Sequence, residues 1–150
     1  MDRPGAALVS SMMDAEWARR LLGLALAIVC ATPLVIGAWL SPSGAGHGTH
    51  EALGLPRCGF LMAFGRPCMT CGMTTAVTWA AQGHFVTAFR IQPAGALFAI
   101  VLASGVWFGL HAAATGMSLK PGLDALVRPR VLWIAGGVTL AAWAYKIAVF

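Results

Sequence analysis

Three long stretches with no charge, or with only one, dominate the pattern of hydrophobic and polar positions along the chain. They cover residues 21–40, 94–115 and 131–149, and the single charge is Lys146, near the end of the third stretch. A helix of about 20 residues spans the hydrocarbon core of a bilayer. Backbone groups in lipid must satisfy their hydrogen bonds within the segment, so each stretch is expected to be helical. The pattern therefore predicts an all-α integral membrane protein with three transmembrane helices, the first retained rather than cleaved as a signal.

The composition supports membrane insertion. Hydrophobic residues make up 59% of the 150 residues and charged residues 10%, whereas an ordinary soluble domain has about 25% charged residues. So little charge cannot cover a soluble surface, and the lipid bilayer is the expected environment. The length fits a single membrane domain over residues 1–150. The formal net charge is +5, but the basic residues are scattered, which argues against a nucleic-acid partner.

The basic residues also predict an orientation. If the chain crosses the membrane three times, the N-terminus and the loop 116–130 lie on one side, and residues 41–93 lie on the other. The first side holds six of the ten basic residues, namely Arg3, Arg19, Arg20, Lys120, Arg128 and Arg130. Because cytoplasmic loops are enriched in lysine and arginine, the N-terminus is predicted to be cytoplasmic and residues 41–93 to face outward.

The outward segment, residues 41–93, is predicted to contain one or two short helices. Residues 41–48 are rich in Ser, Gly and Pro and indicate a flexible loop. From Cys71 onward, polar residues recur at helical spacing as far as Gly83, and a second short helix follows over 84–91. These helices are expected to lie at the interface or to re-enter the membrane, with their polar groups covered by protein or water. The polar helix face consists of Thr74, Thr75, Thr78 and Gln82, and the opposite face of Val77, Ala80 and Ala81.

The cysteines of this segment and their neighbours resemble the bacterial membrane family called domain of unknown function 2752. The shared pattern is Cys58, the core Gly65-x-Pro67-Cys68-x-x-Cys71-Gly72-Met73-Thr74, and then Gly83, Ala88 and Pro93. It covers residues 54–100. Two positions depart from the family: Met69 stands where proline is usual, and Thr75 stands where many members have arginine, so any role of that arginine is absent here. The resemblance implies a small bacterial inner-membrane protein from a family without an assigned biochemical role.

Three interpretations of the cysteines stay open. A Cys-x-x-Cys near a helix start suits thiol redox chemistry, although Cys71 is better placed for the helix start than Cys68 and no thioredoxin-like pattern surrounds the pair. Cys58, Cys68 and Cys71 can instead bind zinc, with His50 or His84 completing a tetrahedral site. Alternatively, Cys58 pairs with Cys68 or Cys71 in a structural disulfide, or the thiols are simply buried. Cys30, inside the first span, is predicted to serve packing.

The shortage of acidic residues bears on activity. Glu51 is the only acid in the outward segment, so this segment has too few carboxylates for typical acid–base or carboxylate-metal catalysis. The sequence favours a non-enzymatic accessory membrane protein that binds another membrane protein or a second copy of itself. The alternative is a thiol-redox or zinc-dependent membrane enzyme that uses Cys58, Cys68 and Cys71. Gly105 and Gly109 form a small-xxx-small pattern that predicts close contact with another helix of the chain.

Overall fold

The computed structural model describes residues 4–149. This part of the chain is built from α-helices and one 3-10 helix, without β-strands. In order, they are α1 (Pro4–Trp39), the 3-10 helix (Thr49–Leu53), α2 (Gly59–Phe64), α3 (Met73–Ala81), α4 (Phe85–Ile91), α5 (Pro93–Thr115), α6 (Lys120–Leu126) and α7 (Pro129–Val149).

Three of these helices are long and apolar enough to cross a membrane, which confirms the predicted fold class. The candidate spans are Ala15–Trp39 within α1, Pro93–Thr115 and Pro129–Val149. The first begins earlier than the uncharged run at residue 21 because the helix continues through the charged residues that precede it. Arg3, one of the residues used to predict the orientation, lies outside the described residues.

The first two spans pack closely and run antiparallel. A Cβ added at Gly109 would lie 2.6 Å from the backbone nitrogen of Ala27, and one added at Gly105 would lie 2.6 Å from Cys30 Sγ. Near the other end of α5, Arg20 donates a hydrogen bond to the carbonyl of Ala114 at 3.0 Å. The small residues therefore let two helices of one chain approach each other, as their spacing predicts. Cys30 lies half-buried in this contact, which confirms its packing role.

Helix α3 lies against the ends of the spans and is enclosed by its neighbours. An added Cβ at Gly37 of α1 would lie 3.3 Å from Thr78 Cα, and one at Gly95 of α5 would lie 2.9 Å from Ala76 Cβ. Val77 and Ala80, predicted to form a face opposite the threonines, are buried as well. The two-faced prediction for α3 was therefore incomplete, because a helix with neighbours on several sides needs no exposed face.

The segment 41–93 contains more structure than the predicted one or two helices. The 3-10 helix and α2 are additional, and α3 begins at Met73 rather than at Cys71. The 3-10 helix is only five residues long and is flanked by Gly48 and Gly54, both with positive φ. Segments this short contain too few turns for their periodicity to be recognised.

Candidate three-cysteine site

A tight turn before α3 positions Cys68 and Cys71. The amide of Cys71 donates to the carbonyl of Cys68 at 3.1 Å, and the amide of Met73 donates to the carbonyl of Thr70 at 3.0 Å. Gly72 then takes a left-handed conformation at φ 86°, and a Cβ there would lie 2.7 Å from the Gly46 carbonyl oxygen. Glycine at this position is thus required by both the backbone conformation and the close approach of another segment.

Three thiols converge on one point. The sulfurs of Cys58, Cys68 and Cys71 all lie within 4.8 Å of one another, and those of Cys68 and Cys71 are 3.4 Å apart. Cys58 comes from the residue before α2, while the other two come from the turn before α3. Sulfurs around a tetrahedral zinc ion with bonds near 2.3 Å lie about 3.8 Å apart. The arrangement fits the donor set of one metal ion after shifts of about 1 Å or less.

The two cysteines of the turn differ in acidity. Burial acts to raise the pKa of Cys68, but hydrogen bonds to its sulfur from the Thr70 hydroxyl and the neighbouring thiols outweigh burial and lower the pKa to about 7. Burial raises the pKa of Cys71 to about 12, and the adjacent Cys68 sulfur adds to this shift. Cys68 therefore ionises before Cys71. The sequence placed Cys71 at the helix start, but Gly72 caps α3 and neither cysteine does.

A cavity of about 790 Å³ opens beside the sulfurs. Its walls come from the residues around the 3-10 helix, from α2 and from the start of α3. Glu51 Oε2 accepts a hydrogen bond from Arg57 Nε at 3.1 Å at its exposed side. The polar residues that line it, besides the cysteines, include His47, His50, Glu51, Arg57, Thr70 and Thr74. A ligand or a solvent molecule can therefore reach the sulfurs through this cavity.

The two histidines predicted as metal ligands lie in different places. His50 lines the cavity, where its Nε2 lies 3.2 Å from the carbonyl oxygen of Pro56. His84 immediately precedes α4, at the opposite end of α3, and its ring packs edge-on against Trp79 with ring centroids 5.2 Å apart. The nine residues of α3 are about 13 Å long. The structure thus brings His50 to the neighbourhood of the cysteines and keeps His84 away.

The threonine stripe of α3 mainly joins segments together. Thr75 is fully buried, and its hydroxyl lies 2.8 Å from that of Thr49. Thr78 is also buried and donates to the carbonyl of Thr74 in its own helix. Gln82 donates from Nε2 to the carbonyl of Leu40 at 2.8 Å, at the end of α1. Of the four residues in the predicted polar face, Thr74 and Thr75 line the cavity.

Side chains near the end of α7 donate hydrogen bonds to the cysteine turn and to the segments beside it. The sequence did not predict this contribution. Trp143 Nε1 donates to the carbonyl of Pro67 at 3.0 Å, next to Cys68. Lys146 is buried, and its Nζ donates to the carbonyls of Gly46 at 3.2 Å and Ile91 at 3.3 Å. A lone charge within an apolar span was the available signal, since such groups usually serve a function.

Gln92, the residue before α5, supports the same turn. It is fully buried, and its Nε2 donates to the carbonyl of Met69 at 3.0 Å, between the two cysteines. Its Oε1 has no hydrogen-bond partner among the described residues. No sequence pattern pointed to this glutamine, because the contact joins residues 23 positions apart.

Fold and site together define an all-helical protein with three candidate membrane spans and a three-thiol cluster at the end where α1 finishes and α5 begins. Residues 58–106 match the model of a family described as "Protein of unknown function (DUF2752)". The match includes all three cysteines, α3, α4 and about half of α5, and it confirms the resemblance found in the sequence. No curated protein and no solved structure matches the chain.

Proposed function

We propose that this is a multi-pass membrane protein that binds one divalent metal ion through Cys58, Cys68 and Cys71, with zinc as the best match. The observation that carries the proposal is the convergence of three sulfurs within 4.8 Å. A disulfide uses only two cysteines and leaves the position of the third unexplained. A thiolate ligand set favours zinc among the common divalent ions.

Two further features support metal binding. Metal ligation requires deprotonated thiols, and the pKa of about 7 at Cys68 supplies a thiolate near neutral pH. The cavity leaves room for a fourth ligand, and His50 or a water molecule suits that position. Three protein ligands with an open fourth position are typical of catalytic zinc sites.

Metal analysis of the purified protein tests this proposal. Protein prepared in mild detergent, reduced and loaded with zinc, is expected to hold one zinc per chain by elemental analysis. Replacing Cys58, Cys68 or Cys71 by alanine is expected to abolish stoichiometric binding, whereas Cys30→Ala retains it because Cys30 packs against α5 instead. A metal-free wild type, or stoichiometric zinc in Cys58→Ala, would refute a three-cysteine metal site.

A second candidate function is thiol–disulfide exchange by Cys68 and Cys71. The unequal pKa values of the two thiols, about 7 and about 12, favour it, because exchange uses an accessible thiolate and a second thiol that resolves the mixed disulfide. Cys58→Ala separates the two functions, since it removes the third metal ligand and leaves the exchanging pair intact. Retained disulfide cycling in this variant, followed by mass spectrometry, would favour exchange over metal binding.

We further propose that the protein lies in a bacterial inner membrane, with a cytoplasmic N-terminus and the three cysteines facing outward. The distribution of basic residues supports this orientation. Intact cells treated first with reductant and then with a membrane-impermeant maleimide test it. Labelling of Cys68 from outside is expected, and a chain labelled only after lysis would indicate the opposite orientation.

An accessory role beside another membrane protein, or a second copy, is also proposed. Much of α7 is exposed: 11% of its most apolar stretch is buried within the chain, which leaves its faces to lipid or to a partner. Crosslinking from cysteines introduced along α7, in a background without the other cysteines, is expected to capture a specific adduct. Uniformly absent adducts would count against this role.

A further inference from the structure

The Lys146 ammonium group is held against the turn that carries the cysteines. The residue is 5% exposed, and its Nζ donates to two carbonyl oxygens, those of Gly46 and Ile91. A Cβ added at Gly72 would lie 3.3 Å from Nζ, so the ammonium lies beside the residue that follows Cys71. Lys146 belongs to the third span, whereas the cysteines lie between the first and second.

Lys146 has no carboxylate partner among the described residues. The ion pairs there are Arg20–Glu16 and Arg57–Glu51, and neither includes it. Carbonyl oxygens solvate an ammonium group but do not neutralise it, and a buried charge is costly unless an opposite charge lies near. Cys71 is the residue next to Gly72 and is the nearest of the three cysteines to Lys146 along this turn.

We propose that Lys146 is the counter-charge of a thiolate-bound metal ion at this site, an inference that rests on the proposed metal-binding function. Three thiolates and one divalent ion carry a net charge of −1, which one ammonium group cancels. At mildly acidic pH, free thiols are mostly protonated, whereas a metal ion binds them as thiolates. Binding therefore creates negative charge beside Lys146, and the lysine stabilises the bound state more than the free state.

The same charge balance bears on the fourth ligand. A neutral ligand, such as His50 or water, keeps the site and Lys146 together at zero net charge. Coordination by Glu51 would add a negative charge that Lys146 cannot cancel. Glu51 instead pairs with Arg57 at the edge of the cavity.

Zinc affinity of charge variants tests the proposal. Lys146→Gln removes the charge but keeps N–H donors for the two carbonyls, and Lys146→Met removes both. We expect Lys146→Gln to bind zinc about 10-fold to 100-fold more weakly at pH 6.5, the range found for groups that support metal ligands. Lys146→Arg is expected to stay within about threefold of wild type because it keeps the charge. Affinities are measured by competition with a chromophoric chelator on monodisperse protein in detergent.

Tyr145→Phe is the matched control for the mechanical attachment of α7. The Tyr145 hydroxyl donates to the carbonyl of Arg90 at 2.9 Å, so this variant loses a hydrogen bond at the same helix end without losing a charge. Unchanged zinc affinity in this control, with weak binding in Lys146→Gln, supports a counter-charge. Wild-type affinity in Lys146→Gln, or equally weak binding in Lys146→Arg, overturns the inference while the metal site stands. A wild type that binds no zinc overturns both.

Discussion

Thr49 and Thr75 share a buried hydrogen bond, with 2.8 Å between their Oγ1 atoms, that joins the segment before Cys58 to the helix after Cys71. Thr49 Oγ1 also accepts from the backbone amide of Ser43 at 3.0 Å. With one hydroxyl bonded to a backbone amide and to a second hydroxyl, the loop is fixed against α3. The bond thereby fixes the relative position of the two walls of the cavity, one carrying Cys58 and the other Cys68 and Cys71.

Replacing Thr75 by valine is expected to lower the free energy of unfolding by about 1–2 kcal/mol. The substitution keeps the shape but leaves the buried Thr49 hydroxyl without this partner. Chemical unfolding in detergent measures the change, and Thr75→Ser is expected to recover most of the loss. Thr139→Val is the control, because the Thr139 hydroxyl bonds only the carbonyl of Ala135 in its own helix. Equal stability of Thr75→Val and wild type would show that the bond contributes nothing.

Replacing Gly72 by alanine is expected to disrupt the cysteine turn. A left-handed conformation costs a residue with a Cβ about 1–2 kcal/mol, and the added carbon would also press against the Gly46 carbonyl. We expect lower thermal stability together with weaker zinc binding. Gly136→Ala in α7 is the matched control, since a Cβ there meets nothing within 4 Å. Wild-type stability and zinc affinity in Gly72→Ala would contradict the described geometry of the turn.

Replacing Gly109 by alanine is expected to separate α1 from α5. The added Cβ would lie 2.6 Å from the backbone of Ala27, and overpacking of this kind typically costs about 1–3 kcal/mol. Thermal unfolding in detergent should show a lower midpoint than wild type. Gly137→Ala, with open space around the added carbon, should unfold like wild type. If both variants unfold alike, the close contact of the two spans is not a main source of stability.

The alkylation of Cys68 is expected to depend on pH with a midpoint near 7, because the thiolate is the reactive form and its fraction rises through that pKa. Cys71, with its pKa raised to about 12, should stay unreactive across the same range. Thr70→Val removes the hydroxyl that lies 3.4 Å from Cys68 Sγ and should move the midpoint up by about half a pH unit. Mass spectrometry measures the extent of alkylation of each cysteine separately. Thr74→Val, which changes a residue lining the same cavity, is the control and should leave the midpoint unchanged. An unchanged midpoint in Thr70→Val would contradict the assigned hydrogen bond.

The three spans could be predicted because bilayer thickness sets a length that uncharged runs reveal locally. Gly105 and Gly109 were likewise informative, since close packing of helices in lipid depends on small residues at a fixed spacing. The site was only partly predictable. Spacing indicated Cys58, Cys68 and Cys71 as a possible group, but it could not separate His50 from His84, because that depends on the direction in which α3 runs.

The supports of the site were harder to predict because they come from distant parts of the chain. Lys146 bonds a carbonyl 100 residues away, and Trp143 bonds one 76 residues away. Local patterns contain no information on such contacts. The acidity of Cys68 depends in the same way on which groups surround its sulfur. The sequence pattern placed the two cysteines near a helix start, but the backbone at Gly72 decides that neither of them caps it.

The hydrogen bonds from α7 also have a consequence for biosynthesis. Pro67 is translated 76 residues before Trp143, and α7 must be made and inserted before Trp143 and Lys146 can reach the turn. Until then, the Pro67 carbonyl lacks its hydrogen bond from Trp143, and no ammonium group lies beside the cysteine turn. The thiol cluster is therefore completed late in synthesis, and the nascent chain gains the full environment of the site only once its third span is in place.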